Sequence, residues 1–67
     1  MSHRSLSGSH VVVLGASGVL GGYLARVLAG RGAGVTGVGR DGQRLGALVD
    51  SLPTDGPDGP LRHGWLW

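Results

Sequence analysis

The feature that most constrains this chain is a set of glycines at three-residue spacing, Gly15-x-x-Gly18-x-x-Gly21, directly after a short apolar run. The run Val11–Leu14 is uncharged and mostly β-branched, which favours a strand buried on both faces, as in a parallel sheet. After the glycines, apolar residues recur at helical spacing. These residues are Leu20, Leu24, Val27 and Leu28. The pattern predicts a strand, a tight turn and a helix of about three turns.

A second strand and a second helix are predicted to follow. Gly30 or Gly32 is expected to end the first helix, and Gly34–Val38 predicts a strand that its internal glycine weakens. Asp41 is a good N-cap for the second helix, which Pro53 is expected to end. The apolar positions of that helix fall at i, i+3, i+4 and i+7. They are Leu45, Leu48, Val49 and Leu52.

Three segments are predicted along the chain. Residues 1–9 are polar and are expected to form a flexible tail. Residues 10–52 form a β-α-β-α unit, which indicates the α/β class with a partial parallel sheet. Residues 53–67 contain a predicted flexible loop, Thr54–Pro60, and then Leu61–Trp67, the candidate for a third strand at which the domain would be truncated.

The glycine turn has the composition of an anion-binding loop. Gly15 permits a sharp exit from the strand, Gly18 lets the backbone approach a phosphate, and Gly21 lets the helix pack tightly on the strand. The helix N-terminus offers free N–H groups, and Ser17 adds a hydroxyl donor. This arrangement is typical of Rossmann-type dinucleotide binding, although a chain with 15 glycines also allows a merely structural turn. The candidate cofactor-binding residues here are Gly15, Ser17, Gly18, Val19, Leu20 and Gly21.

The end of the second predicted strand indicates which dinucleotide is expected. In Rossmann-type units an acidic residue at this place holds the ribose 2′-hydroxyl of NAD, and an arginine accommodates the 2′-phosphate of NADP. Arg40 occupies the place and can form two parallel hydrogen bonds to a phosphate. Asp41 is also a candidate cofactor-binding residue, but its position favours helix capping. NADP is the expected cofactor, NAD is the alternative, and an ordinary solvated arginine is the competing interpretation of Arg40.

Two segments resemble the short-chain dehydrogenase/reductase family. Val11–Gly22 is similar to its first strand and cofactor loop, and Gly39–Leu45 is similar to the entry to its second helix in members that prefer NADP. The resemblance covers roughly residues 10–52 and implies the N-terminal, NADP-binding segment of an oxidoreductase. The glycine spacing is closer to the epimerase-like branch, whereas the Gly-Arg-Asp segment is common in the reductase branch, and both stay open.

The catalytic residues of that family have no counterpart in this chain. The family depends on a Tyr-x-x-x-Lys pair and an upstream serine, and the tyrosine exchanges a proton while hydride moves. This chain has no lysine, and its one tyrosine, Tyr23, is followed four positions later by Val27. The resemblance therefore implies a segment that binds the cofactor and is not catalytic by itself.

Composition argues against several other functions. The six arginines are scattered and the net charge is only +2, which does not favour nucleic-acid binding. The uncharged run Val11–Ala25 is too short for a bilayer, which takes ~20 residues. His3, His10 and His63 lack metal-ligand spacing, so no metal is expected. No secretion signal is visible, which makes the cytoplasm the expected location.

The small size of the chain leaves two other interpretations open. A chain of 67 residues without cysteine is marginal as an independent domain. It could be a small non-enzymatic interaction module whose open sheet edge pairs with a partner chain. It could also be a gene fragment that does not fold stably. The combined strand, turn and helix pattern favours the dinucleotide-binding segment.

Overall fold

The computed structural model describes residues 6–56 and 59–67. Within them, the parallel strands β1, β2 and β5 form one sheet in the order β1-β2-β5, and β3 pairs with β4 in a short antiparallel ladder. This is an α/β architecture with the partial Rossmann-like sheet that the sequence predicts. The elements are β1 His10–Leu14, α1 Val19–Gly30, β2 Gly34–Val38, α2 Gly42–Ser51, β3 Asp55–Gly56, β4 Gly59–Pro60 and β5 Gly64–Leu66.

The core lies between one face of the sheet and the two helices. The register pairs Val11 with Val35 and Val13 with Gly37, so these four residues lie on the same face. Residues of both helices join Val13 and Val35 in a single apolar cluster, which places α1 and α2 on that face. The cluster consists of Val13, Ala16, Ala25, Ala29, Val35, Leu45, Leu48 and Leu52.

The other face of the sheet is open. Val12 is 57% exposed, Leu14 is 77% exposed, and Leu66 of β5 is 62% exposed. The prediction that β1 is buried on both faces is therefore wrong. The parallel pairing is as predicted, but both connecting helices lie on the same side, and nothing in the described residues covers the other.

Helix α1 packs through its smallest residues. Its buried positions are Gly22, Ala25 and Ala29, whereas Leu20 is 80% exposed and Leu24 is 46% exposed. Small side chains let the helix backbone come close to the sheet and to the preceding turn. The apolar spacing correctly predicts the helix, but of the three leucines that produce the spacing only Leu28 packs against the core, and it is only partly buried.

Both helices have the ends that the sequence predicts. Gly32 follows α1 with φ of +97°, a left-handed conformation that favours glycine after a helix. Helix α2 begins after Asp41, whose carboxylate accepts the backbone N–H of Arg44 at 3.1 Å. It ends at Ser51, just before Pro53. In the part of the chain that the structure describes, no helix has the length and apolarity needed to cross a bilayer.

The segments outside the β-α-β-α unit are partly ordered. Residues 1–5 of the predicted tail lie outside the described residues, and so do positions 57 and 58 of the predicted loop. Residues 6–9 form a turn, in which the N–H of Leu6 donates to the carbonyl of Arg31 at 2.9 Å. The predicted loop contains the short β3–β4 ladder. The candidate third strand is present as β5.

His63 fastens the segment before β5 to the rest of the fold. Its Nδ1 accepts the backbone N–H of Val35 at 3.1 Å, and its Nε2 lies 2.7 Å from the carbonyl oxygen of Pro53. A carbonyl only accepts hydrogen bonds, so the ring carries its proton on Nε2. The imidazole therefore bridges β2 and the segment after α2, and its role in this structure is structural.

Candidate functional site

The glycine turn joins the carboxyl end of β1 to the start of α1. Gly15 has φ of +73°, a left-handed conformation that lets the chain leave the strand sharply. A Cβ added at Gly21 would overlap the carbonyl oxygen of Gly15 and lie 2.9 Å from the Cα of Ala16. Helix α1 therefore rests directly on the backbone of the turn. The close packing expected of Gly21 is made with the turn.

Gly18 differs from these two glycines because no contact within the described chain requires it. Its φ of −83° and ψ of 167° are extended values that other residues adopt freely. A Cβ at this position would meet only the carbonyl oxygen of Gly15, at 3.4 Å, an ordinary contact distance. Gly18 thus leaves bare backbone at the start of the helix, which is the surface that a phosphate group uses in glycine-rich loops.

The N-terminus of α1 is not neutralised by any group of its own turn. Gly18 is the N-cap, it makes no side-chain cap hydrogen bond, and the first turn has no acidic residue. The first intrahelical bond runs from the N–H of Gly22 to the carbonyl of Gly18 at 2.9 Å. The N–H groups of Val19, Leu20 and Gly21 precede it and have no intrahelical partner. These donors and the positive end of the helix dipole suit an anion.

The carboxyl end of β2 lies beside the turn. The N–H of Ala16 donates to the carbonyl of Val38 at 3.0 Å. The Ser17 side chain lies against Gly39, where an added Cβ would come within 2.6 Å of the serine Oγ. Arg40 is thereby brought to the same groove as the glycine turn. The groove, about 480 Å³ in volume, is lined by Gly15, Ser17, Gly18, Val38, Gly39 and Arg40.

Arg40 and Asp41 differ in their interactions. The carboxylate of Asp41 caps α2, and its Oδ2 lies 3.5 Å from the Nε of Arg44. This is the one ion pair found among residues 6–56 and 59–67, so the guanidinium of Arg40 has no carboxylate partner there. The capping role predicted for Asp41 is confirmed, and the Arg40 side chain is exposed with no ion pair within the described residues.

The end of β5 reaches the same edge of the sheet. The N–H of Gly39 donates to the carbonyl of Leu66 at 3.2 Å, and the indole N–H of Trp67 donates to the carbonyl of Arg40 at 2.7 Å. A second groove of about 490 Å³ adjoins these contacts and includes Arg40, Asp41, Trp65 and Trp67. No sequence motif marks the tryptophans. Their place could be expected only from the candidate third strand. The carboxyl ends of neighbouring parallel strands meet at one edge of a sheet, so the end of this strand would lie near Arg40.

The other chemistry-bearing side chains do not assemble into a centre. Tyr23 lies on α1 and is 64% exposed. The Nε2 of His10 is 2.7 Å from the hydroxyl oxygen of Thr36, a contact between β1 and β2. No cluster of three potential metal-ligating side chains occurs among the described residues. The glycine turn and Arg40 are therefore the arrangement that can hold a ligand.

Two solved structures are similar to this chain. One is an uncharacterised protein from Mycobacterium paratuberculosis, with a TM-score of 0.70 and 32% identity over 94% of this chain and 22% of that chain. The other is a protein from Pseudomonas syringae described as a short chain dehydrogenase, with a TM-score of 0.70 and 24% identity over 100% of this chain and 28% of that chain. This chain shares its fold with a part of each of the two proteins.

The comparisons also define the extent of this likeness. The chain spans 22% and 28% of the lengths of the two solved proteins. The sequence matches no protein-family model, and no curated protein is significantly similar to it. The fold shared with the Pseudomonas syringae protein agrees with the α/β fold that the glycine turn and Gly39–Leu45 predict.

Proposed function

We propose that this chain is the NADP(H)-binding segment of a short-chain dehydrogenase/reductase-like oxidoreductase. The observation that carries the proposal is one groove lined by the glycine turn as far as Gly18, the N-cap of α1, and by Arg40, which has no ion pair within the described residues. The fold shared with a protein described as a short chain dehydrogenase supports it. Each part of the groove has a role toward a different part of the dinucleotide.

The pyrophosphate is assigned to the start of α1. The N–H groups of Val19 and Leu20 donate to its oxygens, and the Ser17 hydroxyl adds a further hydrogen bond. Gly18 supports this assignment, because its backbone is bare although the chain itself leaves room for a side chain there. The positive end of the helix dipole favours the negative charge of the ligand.

The 2′-phosphate is assigned to Arg40. A guanidinium presents two parallel N–H donors to a phosphate, and the exposed Arg40 has no competing carboxylate in the described structure. Asp41 is engaged by Arg44 in capping α2, which leaves it poorly placed to hold the ribose 2′-hydroxyl of NAD. NADP is therefore preferred over NAD.

The role of the segment is to bind and orient the cofactor. A bound nicotinamide supplies the hydride in enzymes of this kind. The residues assigned here bind phosphate groups, and Tyr23 is not followed by the lysine that the family's Tyr-x-x-x-Lys pair requires. We therefore assign no catalytic residue to this chain and expect no hydride transfer by the chain alone.

Calorimetric titration of the purified chain with NADPH and with NADH tests the proposal. We expect NADPH to bind at least about tenfold more tightly, because it alone offers the phosphate for Arg40. Arg40→Ala should remove the difference. Arg31→Ala is the matched control, since it deletes another exposed arginine, at the other end of α1, and should keep the preference. Equal affinities in the unmodified chain would refute the 2′-phosphate role, and absence of binding would refute the function.

A second function, pairing with a partner chain, is favoured by the open edge of β1. In the described sheet, β1 pairs only with β2, and its outer face exposes Val12 and Leu14. A partner that adds a β-strand at this edge would pair with the free backbone groups of β1, and its own side chains would lie beside Val12 and Leu14. Sedimentation of the chain with increasing concentration tests it. Association that Val12→Lys abolishes and Arg40→Ala leaves unchanged would support this second function, and a monomer at all concentrations would contradict pairing between copies.

A further inference from the structure

The carboxyl end of β5 holds the backbone of Arg40 in place. The indole N–H of Trp67 donates to the carbonyl oxygen of Arg40 at 2.7 Å, and the N–H of Gly39 donates to the carbonyl of Leu66 at 3.2 Å. Gly39 and Arg40, which follow β2, are thus each hydrogen-bonded to one of the last two residues, Leu66 and Trp67. Trp67 is 84% exposed, so burial does not determine where its ring lies. The position of the ring is instead determined by its hydrogen bond to Arg40 and by its contact with the start of α2.

Both tryptophans lie against the start of α2, where glycine makes room for them. A Cβ at Gly42 would lie 3.3 Å from Cζ3 of Trp65 and 3.7 Å from Cγ of Trp67. A Cβ at Gly46 would lie 3.7 Å from Cζ2 of Trp65. Trp65 therefore packs along α2, and Trp67 lies at the N-terminal end of that helix. This arrangement places the backbone of Arg40 between β2, the cap of α2 and the indole of Trp67.

A flexible arginine gains from such support. Two parallel hydrogen bonds to a phosphate require the guanidinium plane in one orientation, and ordering a long side chain costs free energy. Part of that cost is removed when the backbone that carries the side chain is already held. The Arg40 side chain is exposed and has no ion pair in the described structure, so its backbone is the part that the fold orients.

We infer that Trp67 is a positioning residue for Arg40, and that its indole N–H thereby contributes to selection of a 2′-phosphorylated dinucleotide. This inference rests on the proposed function of Arg40. Trp67 acts through the carbonyl that it binds and does not itself contact the phosphate. Its effect is therefore specific to ligands that use the Arg40 guanidinium.

The variant Trp67→Phe tests the inference, because it keeps an aromatic ring and removes the donor. We expect the Kd for NADPH to rise about three- to tenfold, the effect of losing one hydrogen bond, while the Kd for NADH stays the same. Trp65→Phe is the matched control, since the Trp65 indole makes packing contacts with α2 and no side-chain hydrogen bond within the described residues. It should leave the ratio of the two Kd values unchanged.

Two outcomes would overturn the inference while leaving the proposed function intact. In the first, the unmodified chain prefers NADPH and Trp67→Phe keeps the same preference. In the second, Trp67→Phe weakens both dinucleotides equally, which would assign the indole to the nucleotide as a whole. Failure of the unmodified chain to bind either dinucleotide would instead refute the proposed function. In an Arg40→Ala background, Trp67→Phe should have no further effect on the ratio.

A ligand-free measurement tests the hydrogen bond itself. The two indole N–H protons of the chain belong to Trp65 and Trp67 and can be resolved by proton–nitrogen NMR. Because Trp67 donates to a carbonyl and is otherwise exposed, its Nε1 proton should exchange with solvent more slowly than its exposure predicts. A positioning role would be contradicted if the Trp67 indole proton showed no protection from exchange. It would also be contradicted if mild heating removed that protection while the chain stayed folded.

Discussion

The two helices begin at the same edge of the sheet, yet their N-termini are capped differently. Helix α2 is closed by Asp41, which accepts the N–H of Arg44 at 3.1 Å. Helix α1 starts at Gly18, which has no side chain to do the same. A capping side chain typically stabilises a helix by about 1 kcal/mol relative to alanine and by roughly a few tenths of a kcal/mol relative to glycine. The chain forgoes that stabilisation at the helix that follows the glycine turn, and the open terminus is where we propose that the pyrophosphate binds.

The difference teaches how local stability and ligand binding compete for the same donors. The backbone N–H groups at a helix start can be satisfied by a side chain or by a ligand. In α2 a carboxylate of the chain takes this role, and in α1 the donors stay available. Local departures from good capping are expected at functional sites and are unusual elsewhere. Adding a capping side chain to α1, or removing the one on α2, therefore tests the assignment of the pyrophosphate to the start of α1.

The largest expected effect comes from Gly21→Ala, which disturbs the open terminus through packing. The new Cβ would overlap the carbonyl oxygen of Gly15, so α1 or the turn must move. We expect a loss of about 2–4 kcal/mol in the free energy of unfolding, measured by urea denaturation.

Gly30→Ala is the control for this change. An added Cβ at Gly30 has no neighbour within 4 Å, and alanine favours the helix, so stability should hold or rise by up to about 1 kcal/mol. Similar losses at both positions would show that glycine content, and not the close approach at Gly21, determines the effect.

Gly18→Asp closes α1 in the way that Asp41 closes α2. The extended backbone of Gly18 suits an N-cap, so the variant should gain about 0.2–0.5 kcal/mol of stability, since glycine is itself a tolerated N-cap. The same carboxylate repels a phosphate and takes its donors, so binding of NADPH should weaken at least about tenfold. Calorimetry and thermal unfolding measure the two effects on one sample.

The reciprocal change at the closed terminus completes this test. Asp41→Ala should lower the free energy of unfolding by about 1 kcal/mol and leave the NADPH preference in place, because Asp41 is engaged in capping. An increase in stability without loss of binding in Gly18→Asp would contradict the assignment of the pyrophosphate to α1.

Much of the fold follows from local sequence patterns. Gly34–Val38 forms the strand that its composition predicts, and α2 has its predicted cap, apolar positions and end. Gly32 has the left-handed φ expected of a residue after a helix. These features depend on residues close together in the chain, where turn chemistry and periodicity act directly.

The features that escaped sequence reasoning depend on how the folded elements pack and not on residue spacing. The buried face of α1 is determined by the approach of Gly21 to Gly15, which favours small residues such as Ala25 over leucine. The support of Arg40 by Trp67 is a side-chain contact with a backbone carbonyl, and such contacts leave no spacing pattern. The open face of β1 depends on where both helices pack, which the strand's own residues do not reveal.

The smallest expected effect is that of Val19→Pro, and it isolates a single donor at the open terminus. Val19 is the first residue of α1 and is 91% exposed, and proline is well tolerated at the first helical position. The extended conformation of Gly18 is also the one that a residue before proline prefers. Stability should therefore change by less than about 0.5 kcal/mol relative to Val19→Ala, measured by urea denaturation.

The same variant removes one N–H group that we assign to the pyrophosphate, which NADPH and NADH have in common. Both dinucleotides should therefore bind about three- to tenfold more weakly, with their ratio unchanged, in contrast to the effect of Arg40→Ala. Calorimetry with both ligands measures this. If Val19→Pro bound both dinucleotides as tightly as Val19→Ala, the first N–H of α1 would have no part in binding. The difference between the two helix termini would then reflect capping alone.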